Sequence, residues 1–393
     1  MSSLVVKVRT ITTIRPHKNP EKTLIEVAEV DGWPCIVRKG SFAVGDKVVF
    51  IPPDTMLPQA ISDEHGVSNY LDKGRVRSIR LGGEMSFGLL LKPKNENWPV
   101  DMDVAAEYGA TKYNPPAVSQ RGGPNMPGGK ANSNPRHFHK FTDIENIRHY
   151  PHVLDGHAVI CTEKIHGANW RTCIGVADDG TEGMLVGSRN TVREQPGRNI
   201  PVPANGFFEK CWYSVLDFFG KRPMEFVADA GACRNDWYYH AIYNPLQCGK
   251  IKDLLYYFKD EYNAANVSLY GETYGDCIQN LAYGKTGGAM GFAAIGLTVN
   301  YKYVDYDELV DICKMFGVPT APLVYRGPYD FNLIMELSKG KSLVKGANNI
   351  REGIVVQPEH ETHGPCGRAI FKAINDDYLL GKESGKYSDS TDN

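Results

Sequence analysis

Across the first hundred residues, apolar and polar positions tend to alternate in short runs: Leu4 to Ile14, Thr23 to Val30, Pro34 to Arg38, Lys47 to Ile51, Arg75 to Leu81 and Ser86 to Leu91. Successive strand side chains point to opposite faces, so runs of this kind, rich in Val and Ile, predict strands with one face buried. Asp31-Gly32, Gly45-Asp46 and Gly82-Gly83 supply the turns between them. Five or six short strands without a strong helical pattern predict a small closed β-barrel over residues 1–108. The OB type fits best. An SH3-like barrel has the same periodicity and remains an alternative.

The pattern then changes twice. Residues 109–136 are dense in Gly, Pro, Asn and Ser and read as an extended linker. Over 137–383, helix-like periods (Asn205 to Phe219, Lys250 to Asn263, Tyr306 to Phe316, Asp330 to Lys339) alternate with strand-like runs (Ala158 to Glu163, Met184 to Gly187, Ser268 to Gly271, Gly353 to Gln357, Arg368 to Ile374). That mixture predicts an α+β domain. Residues 384–393 are small and polar and read as a disordered tail.

Bulk composition adds limits. A chain of 393 residues suits two compact domains. A formal net charge of -2 excludes a uniformly basic nucleic-acid coat, though not a local basic groove. No apolar run reaches the roughly 20 residues of a membrane span, and the first residues lack the unbroken apolar stretch of a signal peptide. The nine cysteines are scattered and never form C-x-x-C, which points to reduced thiols and a cytoplasmic protein without a structural zinc site.

Candidate chemistry centres on TEKIHGANWR, residues 162–171. A lysine followed by glycine three positions later is common by chance, and a solvated surface charge is the bland reading of Lys164. Its context differs: the apolar run Val159-Ile160-Cys161 leads into it, and Gly167 permits a tight turn after it. A free lysine is only about 0.1% amine near neutral pH, so a nucleophilic one needs desolvation or neighbouring cations. Further charged residues end or interrupt apolar runs in order along the chain: Arg189 in GSRN, Glu272 in LYGETYG, Glu352 in EGIVV and Lys372 in AIFKAI. Each alone has a structural explanation, as an ion pair, a turn, a cap or an edge lysine.

Together these segments resemble the covalent nucleotidyltransferases, which comprise ATP-dependent RNA ligases, DNA ligases and mRNA capping enzymes. EKIHGANW is similar to nucleotidyl motif I in its RNA-ligase form, GSRN to motif Ia, LYGETYG to motif III, EGIVVQP to motif IV and IFKAIND to motif V; GFAAIGL at 291–297 lies where motif IIIa belongs. A barrel placed before the nucleotidyl domain is similar to the Deinococcus RNA ligase type. The resemblance implies an OB domain followed by an adenylyltransferase domain, an ATP-grasp-like nucleotidyltransferase of antiparallel sheets and helices. It implies ATP with Mg²⁺ or Mn²⁺, AMP carried covalently on Lys164, and RNA with 5'-phosphate and 3'-hydroxyl ends, in nicked or otherwise paired form, as the substrate.

By the same resemblance, Glu163 sits against adenine through its backbone, and Ile165, His166 and Asn169 shape the pocket. Arg189 and Glu272 hold ribose and phosphate, Phe292 stacks on the base, Glu352 binds the metal and Lys372 neutralises the α-phosphate. Arg148 with His149 meets end phosphates, and Arg75, Arg77 and Arg80 on the barrel contact nucleic acid, or else form a solvated strand face. One departure stands out: motif V carries a single lysine, with Ile370 and Ile374 at the flanking same-face positions and Arg368 as a substitute cation. A DNA ligase, a GTP-using capping enzyme and a non-catalytic RNA-binding descendant are the rival readings.

Overall fold

A computed structural model describes residues 4–113, 137–176, 182–193, 224–364 and 367–383, with 135, 195, 197–201, 209, 210 and 216 between them. Those residues fall into two compact units. One takes the described residues of 4–113, 142–165 and 322–383; the other takes those of 137–141 and 166–321. The nucleotidyl half of the sequence is therefore divided, and its first and last segments join the N-terminal strands in one unit. The helix expected over Asn205 to Phe219, linker residues 114–134 and the 384–393 tail lie almost wholly outside the described residues.

In the first unit, Lys7–Thr10, Lys47–Ile51 and Leu89–Leu91 form one antiparallel sheet, and Thr13–Pro16, Ile25–Val30 and Trp33–Arg38 another. Two apolar clusters fill them, one around Val8, Val49 and Leu91, the other around Ala28, Trp33, Phe50 and Phe87. Two of the expected strands are split. Ser86 to Leu91 breaks at Gly88, whose φ of 85° and close approach to the Ile51 carbonyl, 2.3 Å from where a Cβ would lie, exclude a side chain. Leu4 to Ile14 divides into Lys7–Thr10 and Thr13–Pro16, which join different sheets. Thr111–Lys112 pairs with Thr55–Met56, so this region extends beyond residue 108.

The same unit contains a five-stranded sheet in the order Glu145–Asn146, Phe371–Ile374, Gly353–Pro358, Ala158–Lys164, Leu323–Pro328. All neighbours are antiparallel except the first pair. One face packs Val159, Cys161, Ile354, Val356, Phe371 and Ala373 into a core with Ile334 of the Phe331–Leu337 helix, whose N-terminus Asp330 caps through Leu333 N at 2.7 Å.

Arg148 ties the N-terminal strands to this sheet. Its guanidinium donates to the Gly32 carbonyl, pairs with Asp376 at 3.0 Å and lies 5.0 Å from the Trp33 ring. The adjacent His149 ring packs on Trp33, and burial, reinforced by the Lys372 charge, pushes its imidazole down to about 4. Arg148 is 6% exposed and fully engaged within the fold, so its assignment to end phosphates is corrected: it is a structural cation. Removing one partner of a buried ion pair strands the other, at a cost of about 3 kcal/mol or more. Arg148→Ala is accordingly expected to lower the denaturation midpoint sharply in urea, while Arg148→Lys recovers only part of the loss because a lysine lacks the fork that reaches both Gly32 and Asp376.

The second unit holds an antiparallel sheet in the order Glu182–Gly187, Ala168–Val176, Asn266–Tyr274, Gly291–Val299, Lys302–Tyr303. Its core face meets the helices Ile251–Glu261 and Tyr306–Met315. The first of these buries Ile251, Leu254, Leu255 and Phe258, spaced to line one helical face. Among the described residues no helix is long and apolar enough to cross a membrane, and no two of the seven described cysteines form a disulfide.

Candidate active site

Register decides which side chains share a face. Lys164 lies opposite Gly353, which lies opposite Ile374; Thr162 lies opposite Val355, which lies opposite Lys372. Directly opposed and alternate residues point the same way, so Lys164 and Lys372 project from one face of the first unit's sheet. Lys164 Nζ donates to Glu352 Oε1 at 2.7 Å. Glu352 is 8% exposed and stands immediately before its strand, with its backbone carbonyl accepting from Asn375 N at 2.9 Å. Gly353 keeps this row open: a Cβ there would meet the Ala373 carbonyl at 2.2 Å.

Burial, and then the Lys164 charge, push the Lys372 ammonium down to about 8, against the pull of Glu352 and Glu145. Ile374, 8% exposed, occupies the position two residues along the same strand face. Arg368 does not replace a second lysine. The strand begins at Phe371, and Arg368 belongs to a short pairing with His363, where its guanidinium donates to Glu361 at 2.8 Å.

Glu163 points the other way. Its carboxylate is buried with Leu343 N donating to it at 2.6 Å, its backbone N–H donates to Pro322 O at 2.8 Å, and burial raises its pKa. Ile165, 4% exposed, is the last residue of this stretch in the first unit.

The second unit begins at His166. Asn169 lies opposite Glu272, which lies opposite Ala293, so these three share one face of its sheet. Gly167 is required by contact: a Cβ would sit 2.2 Å from the Thr273 carbonyl and 2.9 Å from Glu272 Cγ. Arg189 follows the Glu182–Gly187 strand and is half-buried.

Phe292 is a correction. It lies opposite Thr273 and thus on the reverse face from Glu272, 1% exposed in the core with its ring edge-on to Trp170 at 4.8 Å. A ring so enclosed offers no surface to a base, and the shift of one residue along a strand explains the error. The barrel arginines stay partly exposed, each beside a carboxylate. Arg75 donates to Asp54 and lies 3.9 Å over Tyr113, Arg77 pairs with Asp72 at 3.1 Å, and Arg80 faces Asp377 at 3.8 Å. Arg75 and Arg77 precede the Ser78–Leu81 strand, and the nearby carboxylates balance the positive charge that the sequence suggested.

Several supporting residues carried no sequence signal. Arg351 donates to the Lys341 and Leu337 carbonyls beside Glu352, and Asn375 Nδ2 donates to Arg351 O at 3.0 Å. Arg171, fully buried, donates to Ser188 O at 2.8 Å and Phe138 O at 2.6 Å, which fixes the turn leading to Arg189. Alternation along the Ala168–Val176 strand would have placed Arg171 on the Asn169 face, had that strand been predicted. Among the described residues no group of three or more His, Cys, Asp or Glu side chains is arranged to hold a metal ion.

The RNA ligase family model matches residues 157–374, and an OB-fold domain model matches residues 5–93. No curated protein matches the chain. Among solved structures, a lysine-to-alanine mutant of Naegleria gruberi RNA ligase with ATP and Mn is similar, with TM-score 0.66 and 22% identity over 96% of this chain and 99% of that one. The same enzyme with PPi gives 0.65 and 22% identity over 98% and 100%. A glutamate-to-alanine mutant with AMP and Mn gives 0.66 and 22% identity over 97% and 99%. At this identity the structures establish a shared fold. The family match spans more than half of the sequence and contains Lys164, Glu272, Glu352 and Lys372, and the chain therefore belongs to the RNA ligase family, preceded by an OB-fold domain.

Proposed function

We propose that this protein is an ATP-dependent RNA ligase that seals 3'-hydroxyl and 5'-phosphate RNA ends, in nicked or otherwise paired RNA of the cytoplasm. The observation that carries the proposal is that Lys164 and Lys372 share one sheet face, with the Glu352 carboxylate 2.7 Å from Lys164. In the first step Lys164 Nζ, having lost a proton, attacks the α-phosphorus of ATP. A phosphoramidate bond forms as the bond to pyrophosphate breaks. AMP then passes to the RNA 5'-phosphate, and a 3'-hydroxyl displaces it. Lys372 offsets charge on the α-phosphate. Asn169, Arg189 and Glu272 hold the nucleoside, with Ile165 and His166 beside it, and Glu163 contributes its backbone.

A divalent cation fits the donors present. A hard ion that keeps several waters and binds phosphate oxygens needs only one or two carboxylates, and Glu352 supplies one beside Lys164. Bound there, Mg²⁺ or Mn²⁺ would polarise the α-phosphate. We divide the chain functionally into the OB domain at 1–108, which the Thr111–Lys112 strand extends into the linker at 109–136, an adenylation domain at 137–383 and a tail at 384–393.

The test is to mix the protein with α-labelled ATP or GTP and Mg²⁺ or Mn²⁺, denature it, and measure label retained on the chain. Label from ATP and sealing of a nicked RNA duplex are expected. Label from GTP alone would favour a capping activity, and no label from either, on protein shown to be free of prior adenylylation, would leave a non-catalytic RNA-binding protein.

A pH dependence follows from Lys372. Its folded pKa, about 8, lies below the ordinary 10.5, so its charge costs stability below about pH 8. That cost fades as the pH rises toward 10.5. Neutralisation of the phosphate is lost over the same range. The kcat/KM for lysine labelling, which reports the free enzyme, is expected to stop rising above about pH 8, where loss of the Lys372 charge offsets the growing fraction of reactive amine. In Lys372→Arg the rise should continue beyond pH 8, because a guanidinium keeps its charge; an unchanged profile in the variant would remove Lys372 from the step.

A further inference from the structure

In the second unit, the strands Asn266–Tyr274 and Gly291–Val299 pair as antiparallel neighbours, yet residues 275–290 join them. Hairpin connections of about two to five residues are usual, and much longer ones tend to have a function of their own. This connection is internally built. Asp276 accepts from Gly287 N at 2.7 Å and Gly288 N at 3.2 Å, while Ile278 and Met290 are buried against Ala168.

Two side chains leave it for the turn that follows the nucleophile's strand. Tyr283 Oη accepts from His166 N at 2.7 Å, and Gln279 Nε2 donates to Gly167 O at 3.3 Å. Tyr283 is fully buried, its ring edge-on to Tyr274 at 5.4 Å, and it holds a left-handed φ of 49°. A bulky residue adopts that conformation only where its surroundings impose it, so the backbone here is shaped around the placement of the hydroxyl.

We propose that the 275–290 connection is a clamp on the His166–Gly167 turn, and that Tyr283 and Gln279 are positioning residues for attack by Lys164, two residues upstream. This rests on the reading of Lys164 as the nucleophile. The clamp matters when the lysine reacts. Sealing of a strand that already carries a 5'-adenylate needs no lysine nucleophile, so the clamp should matter less to that step.

The experiment compares Tyr283→Phe, which keeps the ring and deletes the hydroxyl, with Gln279→Ala and the wild type. Single-turnover labelling at saturating ATP is expected to slow about 10-fold in each variant, with the ATP concentration dependence unchanged. Sealing of a pre-adenylated RNA nick should stay within about twofold of wild type, and the melting temperature close to it. A parallel loss in both reactions would show the connection to be a general fold element and overturn the proposal. So would labelling at the wild-type rate in both variants. If the wild type itself took no label, the ligase reading would fail first, and the clamp with it.

Discussion

Lys164→Ala protein, incubated with α-labelled ATP and a divalent cation and then denatured, is expected to retain no label, a loss of at least about 10³-fold in rate. The amine is the atom that becomes bonded to phosphorus, and no other group substitutes for a deleted nucleophile. Lys372 shares the sheet face but lies one step away in register, opposite Val355 while Lys164 lies opposite Gly353. The variant should still fold, since Lys164 ends its strand and its side chain remains a quarter exposed. Its sealing of a pre-adenylated nick separates chemistry from collapse: retained sealing with lost labelling identifies the nucleophile. Persistent labelling of the alanine variant would mean that another residue receives AMP.

Glu352→Gln should slow labelling about 10²- to 10³-fold, and here two effects oppose each other. The carboxylate 2.7 Å from Lys164 favours its ammonium form, so removing that charge makes the reactive amine easier to reach. The same change removes a carboxylate that would hold the cation polarising the α-phosphate, a contribution of several kcal/mol. The second effect is larger, so the net result is a loss, partly recovered at higher Mn²⁺ concentration. Glutamine is nearly isosteric, and the Asn375 N–H bond to the residue 352 backbone does not depend on the side chain, so stability should change little. Faster labelling in the variant would reduce Glu352 to a brake on Lys164.

Much of this site was legible in the chain. The apolar run into Lys164, the carboxylate ahead of Gly-Ile-Val-Val and the lysine inside AIFKAI set charges at the ends or within buried strands, a pattern that composition alone would not produce. The helices over Ile251–Glu261 and Tyr306–Met315 followed from their period, because apolar spacing is a local property. The barrel's turns followed from Asp-Gly and Gly-Gly pairs.

Parity and partners were not legible. Phe292 lies one residue from Ala293, the residue opposite Glu272, and only the pairing register shows which of the two lies behind the sheet. Arg148 looked like an exposed cation because a sequence shows a charge without its counter-charge; Asp376 is far from Arg148 along the chain and beside it in the fold. The clamp by Tyr283 and Gln279 on His166 and Gly167 likewise joins residues more than a hundred positions apart. The sequence by itself determined which residue types could perform nucleotidyl transfer and where many of the strands and helices lie, because both depend on neighbours along the chain. Tertiary structure decided which of those residues face one another, because facing is set by strand register and long-range burial.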